Sequence, residues 1–314
     1  MKGRNVTAHL LCSGVLVGFL WVAVPLRAKD EAPPLKEVTL SNGVALHYVE
    51  QGTGTPVIFV HGSLGDYTYW KEQIGTLAKH FHVVDYSRRY NWPNENKAVP
   101  NYSAETDADD LAELIKSLHL SPANVVGHSY GALTGLFLAI RHPELLRRLV
   151  LAEPPAVPLL EHLSGNNAQE GKKLYEDIQT RMVAPMHDHF VAGDRNAGIA
   201  TFLAYLFNDP EAWQNMPQAA QAETLRDAHE WDVIMTTGVL FPAIEPDSVR
   251  QIRIPVLLIS GAKSFHFLSL IDDELVRLLP NSQHLIVPDA GHDMWGQARE
   301  LCRQKAEQFL QDAH

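Results

Sequence analysis

The sequence predicts an α/β protein, a parallel sheet covered by helices on both faces. From Val38 onward, short strand-like runs alternate with longer helix-like ones, the order that builds βαβ units. Several of the strand-like runs are apolar at every position, residues 57–60 (Val-Ile-Phe-Val) first among them, as strands buried on both sides must be. The third observation is the pentapeptide Gly127-His128-Ser129-Tyr130-Gly131. It joins the β-branched end of a strand-like run to a nearly continuous apolar stretch of helical length, 132–140.

In chain order, strands are expected at 37–40 and 44–50, joined by the turn signal Ser41-Asn42-Gly43, and at 57–60, which runs into His61-Gly62. Residues 69–78 read as a helix and 82–86 as the next strand. The helix over 103–118 opens on Ser103 as its cap and carries Glu105, Asp107, Asp109 and Asp110 in its early turns, where the helix dipole favours negative charge. Ala108, Leu111, Ala112, Ile115 and Leu118 form its apolar face. Residues 149–152 form a strand that stops at Glu153-Pro154-Pro155, since proline cannot continue a central strand. From 156 to about 249 the pattern changes to short helices broken by glycine, proline and Asn-Asp, without a strand. Strands return at 255–259 and 284–287, each followed by a helix, the last over 297–311. One domain is therefore expected, with a core of residues 29–155 and 250–314 and a helical cap, 156–249, inserted between two of its strands.

The pentapeptide has the form of a nucleophile elbow, in which a serine sits on a sharp turn from strand to helix. Such a turn needs small residues two positions either side, and Gly127 and Gly131 have no Cβ to collide there. A serine hydroxyl is a poor nucleophile at neutral pH, so an imidazole must take its proton and a carboxylate must orient that imidazole. Of the sixteen histidines, His292 stands apart. It follows an apolar strand and the turn Pro288-Asp289-Ala290-Gly291, which places it on the same rim of the sheet as Ser129.

On three motifs in this order, His61-Gly62 after a strand, the elbow at 127–131, and Gly291-His292 near the end, the chain resembles the single-chain, cap-bearing α/β-hydrolases over residues 37–312. The resemblance implies a mostly parallel sheet of eight strands, Ser129 as the nucleophile after the fifth and His292 as the base after the eighth. It also implies an oxyanion hole made by the backbone amides of Ser63 and Tyr130. Preorganised donors of this kind contribute roughly 2.7 to 4 kcal/mol each to lowering the barrier.

The acid departs from the commonest family pattern, which places an aspartate just past the glycine ending the seventh strand. Here Gly261-Ala262-Lys263-Ser264 puts a serine there, and Ser264 cannot hold a negative charge. Asp272 and Asp273, next downstream, are expected inside the following helix as surface residues. Glu153 ends the strand beside the nucleophile strand, a position some family members use, and is taken as the acid. Asp293 is expected to shape a turn or cap a helix, and Asp66 to cap the first helix. Tyr69 and Trp70 line the pocket or pack in the core.

The cap segment holds Phe190, Phe202, Tyr205, Phe207, Trp213, Trp231 and Phe241, most of them expected in the cap's own core and a minority facing the site. An apolar roof over a serine fits a small hydrophobic carboxylic ester or lactone. A carbon-carbon bond hydrolase of the same fold and a non-catalytic exported ligand-binding protein are the alternatives. Dehalogenase and epoxide-hydrolase relatives use an aspartate where Ser129 stands.

Composition bounds the rest. With 314 residues, 46% apolar and 20% charged, the chain can bury a sizeable core, and a net charge of −11 argues against a nucleic-acid or anionic-lipid partner. Lys2 and Arg4 precede an uncharged, mostly apolar run over 10–26, then Arg27-Ala28, the pattern of a signal peptide cleaved near Ala28; an uncleaved membrane anchor is the alternative. Cleavage of 1–28 removes three basic residues, takes the mature charge to −14, leaves no anchor, and makes the protein periplasmic or secreted. Cys12 lies in this segment without the small residue a lipidated cysteine needs before it, so only Cys302 remains and no internal disulfide can form. His187-Asp188-His189 carries metal-capable groups, yet consecutive helical residues diverge and no zinc-type spacing accompanies them. There is no dinucleotide or phosphate-binding glycine loop, and a serine hydrolase needs no cofactor.

Overall fold

The computed structural model describes residues 33–312; the expected signal segment lies outside them. A hairpin comes first, β1 (Lys36–Thr39) and β2 (Ala45–Gln51), antiparallel with Val38 opposite Leu46. Its turn uses the chemistry the sequence supplies: Asn42 Oδ1 accepts the Val44 amide and Gly43 takes φ +83°. Then follow β3 (Pro56–Val60), α1 (Lys71–Leu77), β4 (His82–Tyr86), α2 (Ala104–Ser117), β5 (Ala123–His128), α3 (Tyr130–Arg141) and β6 (Leu146–Ala152). A wholly helical stretch comes next, with α4 (Ala168–Ile178), α5 (Ala184–Val191), α6 (Arg195–Phe207), α7 (Gln218–Arg226), α8 (His229–Thr237) and α9 (Pro246–Arg250). The chain finishes with β7 (Val256–Gly261), α10 (His266–Leu278), β8 (Ser282–Val287), α11 (Met294–Gln297) and α12 (Arg299–Gln311).

The eight strands form one sheet in the order β1-β2-β4-β3-β5-β6-β7-β8. Only β2 runs antiparallel to its neighbours; every pair from β4 to β8 is parallel. Successive side chains of a strand point to opposite faces, and the core divides accordingly. Ile58, Val60, Val125, Leu149 and Leu258 pack on one face with α2, α3 and α10, whereas Val57, Phe59, Val126, Val150 and Ile259 pack on the other with α1 and α12. The strand order reverses between β3 and β5, so the crevice beyond their C-terminal ends is where such a sheet places a ligand.

The helical stretch leaves at the end of β6 and returns to β7, which pairs directly with β6, so the helices do not interrupt the sheet. Among the described residues, no helix is long and apolar enough to cross a membrane.

Several local expectations differ from the structure. β6 begins at Leu146, three positions early, because Arg147 and Arg148 mask a strand whose other residues are buried. The last helix is broken at Ala298 into α11 and α12. Ser103 caps α2 as expected, accepting the Glu105 amide, but Asp107 and Asp110 are not solvated dipole partners. They are buried against Arg88 and Arg89, at 2.7 and 2.6 Å. Asp66 does not cap α1. Its Oδ1 accepts the Thr68 amide and its Oδ2 pairs with Arg226, tying the loop before α1 to α7. Asp272 is not a surface residue: it is 1% exposed and bonded to Ser260 Oγ at 2.5 Å, whereas its neighbour Asp273 is exposed.

Candidate active site

Ser129 stands between β5 and α3 with φ 53° and ψ −123°, a strained conformation that turns its side chain out of the chain's path. The flanking glycines are obligatory. A Cβ on Gly127 would lie 2.4 Å from the Gly131 oxygen, and one on Gly131 would lie 2.2 Å from the oxygen of Val60 at the end of β3. The Ser129 amide donates to the Ala152 oxygen at 2.8 Å, which fastens the elbow to the tip of β6.

The residue after Ala152 is Glu153, also left-handed at φ 47°. It is 1% exposed, and its carboxylate is met by three donors. The Gly261 amide reaches Oε1 at 2.7 Å, while Ser264 Oγ and His292 Nδ1 reach Oε2 at 2.6 and 2.5 Å. A buried carboxylate requires this kind of satisfaction. The loop carrying His292 is held against the end of β7 by Lys263 N to Ala290 O, 2.8 Å, and against α11 by Gly291 N to Gln297 Oε1, 2.7 Å. With Nδ1 engaged by a carboxylate, the imidazole keeps its proton there and leaves Nε2 as an acceptor. Ser129 and His292 line one pocket, but their side chains are not hydrogen-bonded to each other in this structure.

A second histidine, not singled out by sequence, braces the first. His128, 6% exposed, places Nε2 2.9 Å from the His292 carbonyl and Nδ1 3.0 Å from Tyr69 Oη. A carbonyl only accepts, so Nε2 carries the hydrogen and Nδ1 accepts from the phenol. Burial first, and repulsion from His292 when that ring is protonated, push His128 down to about 3. Tyr69 stacks on His128 within 3° of parallel and lines the pocket, whereas Trp70 is fully buried core. The sequence signal was present in the elbow's own second residue, but nothing local said which way the ring turned.

The loop after β3 is built as tightly. His61 is fully buried; its Nε2 accepts the Arg88 amide at 3.0 Å and its Nδ1 donates to the Gly62 carbonyl at 2.8 Å. Burial first, and Arg88 second, push it well below the usual histidine range, so it is a neutral strut. The buried Arg88 guanidinium donates to the carbonyls of His61 and Gly62, pairs with Asp107, lies 2.6 Å from Glu230 Oε1 on α8, and covers the Tyr130 ring at 4.9 Å. Ser63 and Tyr130 border the pocket on this side, and the Tyr130 amide opens α3, where no carbonyl precedes it in the helix.

The pocket has a volume of about 580 Å³ and mostly apolar walls. Phe202, Phe207, Trp231 and Phe241 line it, more of the helical segment's aromatics than expected, while Phe190 and Trp213 are buried and Tyr205 bonds Asp177. Asp293 caps α11 through the Gly296 amide. Among the described residues, no group of three or more His, Cys, Asp or Glu side chains could hold a metal ion; His187 and Asp188 are exposed.

A family model described as alpha/beta hydrolase fold matches residues 55–295. The chain is 35% identical over 138 residues to the uncharacterized hydrolase YraK of Bacillus subtilis, covering 44% of this chain and 50% of that protein. It is 25% identical over 286 residues to a 2-hydroxy-6-oxo-6-(2'-aminophenyl)hexa-2,4-dienoic acid hydrolase of Metapseudomonas resinovorans, covering 83% and 89%. The chain spans half or less of the length of the first curated relatives it matches. The enol-lactonase of Burkholderia xenovorans LB400 shares the fold, with a TM-score of 0.69, 20% identity, and coverage of 88% of this chain and all of that one. The chain belongs to the α/β-hydrolase family.

Proposed function

From that membership, we propose that the protein is a serine hydrolase that cleaves a small hydrophobic carboxylic ester or lactone through an acyl-enzyme. The observation that carries the reading is the contact of Glu153 Oε2 with His292 Nδ1 at 2.5 Å, beneath a pocket that also contains Ser129. Ser129 Oγ bonds to the substrate carbonyl carbon as its proton passes to His292 Nε2. The Ser63 and Tyr130 amides take the oxygen that gains charge, and Glu153 stabilises the imidazolium. The carbon-oxygen bond to the leaving group breaks as His292 returns the proton to it. Water then repeats the sequence, its proton passing through His292 to Ser129 as the acid departs. In this reading residues 156–249 are a cap that excludes water from the reacting carbonyl.

The likeness to the dienoic acid hydrolase favours a second reading, carbon-carbon bond hydrolysis. A carboxylate on the substrate is held best by an unpaired cation in the pocket. The one Lys or Arg among the lining residues, Lys263, is paired with Asp289 at 2.8 Å, so the ester reading is preferred.

The test is reaction with a fluorophosphonate and with aryl esters of short acids. Wild type is expected to label at Ser129 and turn over esters, and Ser129→Ala to do neither. Ester hydrolysis by Ser129→Ala at the wild-type rate would sink the mechanism, and a folded wild type that never labels would be a ligand-binding protein. Sequencing the N-terminus of exported protein tests cleavage near Ala28.

A further inference from the structure

The pocket is not uniform along its length. Its inner wall, Met182, Trp231 and Leu240, is at most 8% exposed. Its outer part carries Phe207, at 60% the most exposed large apolar side chain among the described residues. Phe207 ends α6, and Asn208 caps that helix in the left-handed conformation. Its ring meets Phe265 edge-on at 5.8 Å. Phe265 in turn lies within 11° of parallel to Phe267 at 6.1 Å and tilts against the His292 ring at 5.6 Å. A chain of aromatic rings thus runs from solvent to the imidazole. Phe207 is not a lone surface side chain: with Phe265 it forms the outer end of the apolar pocket wall, where a bound group would cover it.

The directions available around the reacting carbon decide what does. In the tetrahedral intermediate the oxyanion points to the Ser63 and Tyr130 amides, and the leaving oxygen must lie at His292 Nε2, which protonates it. A group on that oxygen, beside His292, meets Phe265 and then Phe207 as its nearest aromatic walls, and the buried inner wall is left for the acyl group. Lys263, which lines the pocket, pairs with Asp289 and so offers no net charge to an ionic group.

We infer that the natural substrate is an acyclic ester of a neutral aromatic alcohol, phenolic or benzylic, with an aliphatic acyl group. The inference rests on the serine hydrolase reading. It excludes small lactones as the best substrates, because a lactone tethers its leaving oxygen to the acyl chain and brings no separate group to the aromatic exit.

Benzyl and cyclohexylmethyl butanoate, which share a carbon count, and δ-valerolactone test it. For the full chain, kcat/KM for the benzyl ester is expected to exceed that for the cyclohexylmethyl ester about 5- to 10-fold, the worth of one or two aromatic contacts. The lactone is expected to be slower than both. In Phe207→Ala and Phe265→Ala the benzyl preference is expected to fall toward unity, with fluorophosphonate labelling at Ser129 reporting an intact fold. The ratio is the readout because Phe265 touches His292 and its loss also lowers absolute rates. Equal rates for the two esters, a lactone faster than the benzyl ester, or an unchanged preference in a labelling-competent Phe207→Ala overturns the inference. In those cases esters are still cleaved, whereas absence of both ester turnover and labelling rejects the serine hydrolase reading along with it.

Discussion

Ser264 donates a 2.6 Å hydrogen bond to Oε2 of Glu153. The residue standing where the commonest family pattern has its acid is thus turned toward Glu153 at the tip of the neighbouring strand, the proposed acid. Hydrogen bonds to a buried carboxylate are typically worth about 1.5 to 3 kcal/mol. Ser264→Ala is expected to lower kcat roughly 10-fold with a smaller change in KM, and steady-state kinetics on an aryl ester checks it.

Glu153→Gln keeps the shape and removes the charge, so it is expected to lower kcat by about 10³- to 10⁴-fold. Asp272→Asn is expected to stay within a few-fold of wild type. Burial, with Glu153 and Asp273 adding to it and the Ser260 hydrogen bond opposing it, pushes the Asp272 carboxyl well above its ordinary value, which favours the neutral form that an amide mimics. Loss of kcat in Asp272→Asn rather than Glu153→Gln would reverse the assignment.

His128→Phe removes the donor that holds the His292 carbonyl. A kcat loss of about 10- to 100-fold is expected, with KM less affected and partial rescue in His128→Gln, whose amide can donate to the same oxygen. Because His128 is pushed down to about 3, it does not titrate between pH 5 and 9. The pH-rate profile of a residually active His128→Gln should keep the wild-type acid limb; a shifted limb would mean that His128 itself exchanges protons in turnover.

Asp227, next to the loop after β4, accepts the Trp92 amide at 2.8 Å. Burial foremost, with Asp66 and Glu230 adding to it, pushes its carboxyl from 3.8 up to about 7. Between those values the folded protein binds more protons than the unfolded chain, so this site makes stability fall as pH rises, by at most about 1.4 kcal/mol per pH unit. Asp227→Asn is expected to flatten the decline between pH 5 and 7, as urea melts at several pH values would reveal.

Gly131→Ala is expected to prevent folding or cost about 3 kcal/mol or more, since its Cβ would lie 2.2 Å from the Val60 oxygen. Gly75→Ala in α1, where nothing lies within 4 Å, is expected instead to gain about 0.5 to 1 kcal/mol. Thermal melts of the two proteins distinguish crowding at the elbow from a general intolerance of alanine.

The sheet was legible because β3, β5, β6 and β7 are apolar on both faces, and the elbow because two glycines at fixed spacing answer to one steric need. Strand starts were less so: Arg147 and Arg148 hid the first residues of β6, since a charged residue at the sheet's end reads as loop. Glu153 could be placed at a strand tip from its two following prolines. What could not be read were contacts between groups far apart in sequence. Asp272 is buried by Ser260, Asp107 by Arg88, and His128 is aimed at a carbonyl 164 residues downstream. Charge made Asp272 look like a surface residue and Asp107 like a local dipole partner, because burial of a polar group is decided by a partner and not by its own chemistry.

Among the described residues, the contact between Arg88 and Glu230 is the one fully buried ion pair, among several ties, that joins the sheet's loops to the helical stretch between β6 and β7. The guanidinium that shapes the turn at His61-Gly62 draws one of its two counter-charges from the helical stretch between β6 and β7. Helices from a relative cannot be grafted onto this sheet as a free module unless they bring an acid to that place. Without it the transplant would leave a buried cation half-neutralised under the turn, a penalty of about 3 to 5 kcal/mol. Exchange of the helical segment is thereby restricted to sequences that match residue 88, and the sheet, not the inserted helices, sets the terms of compatibility.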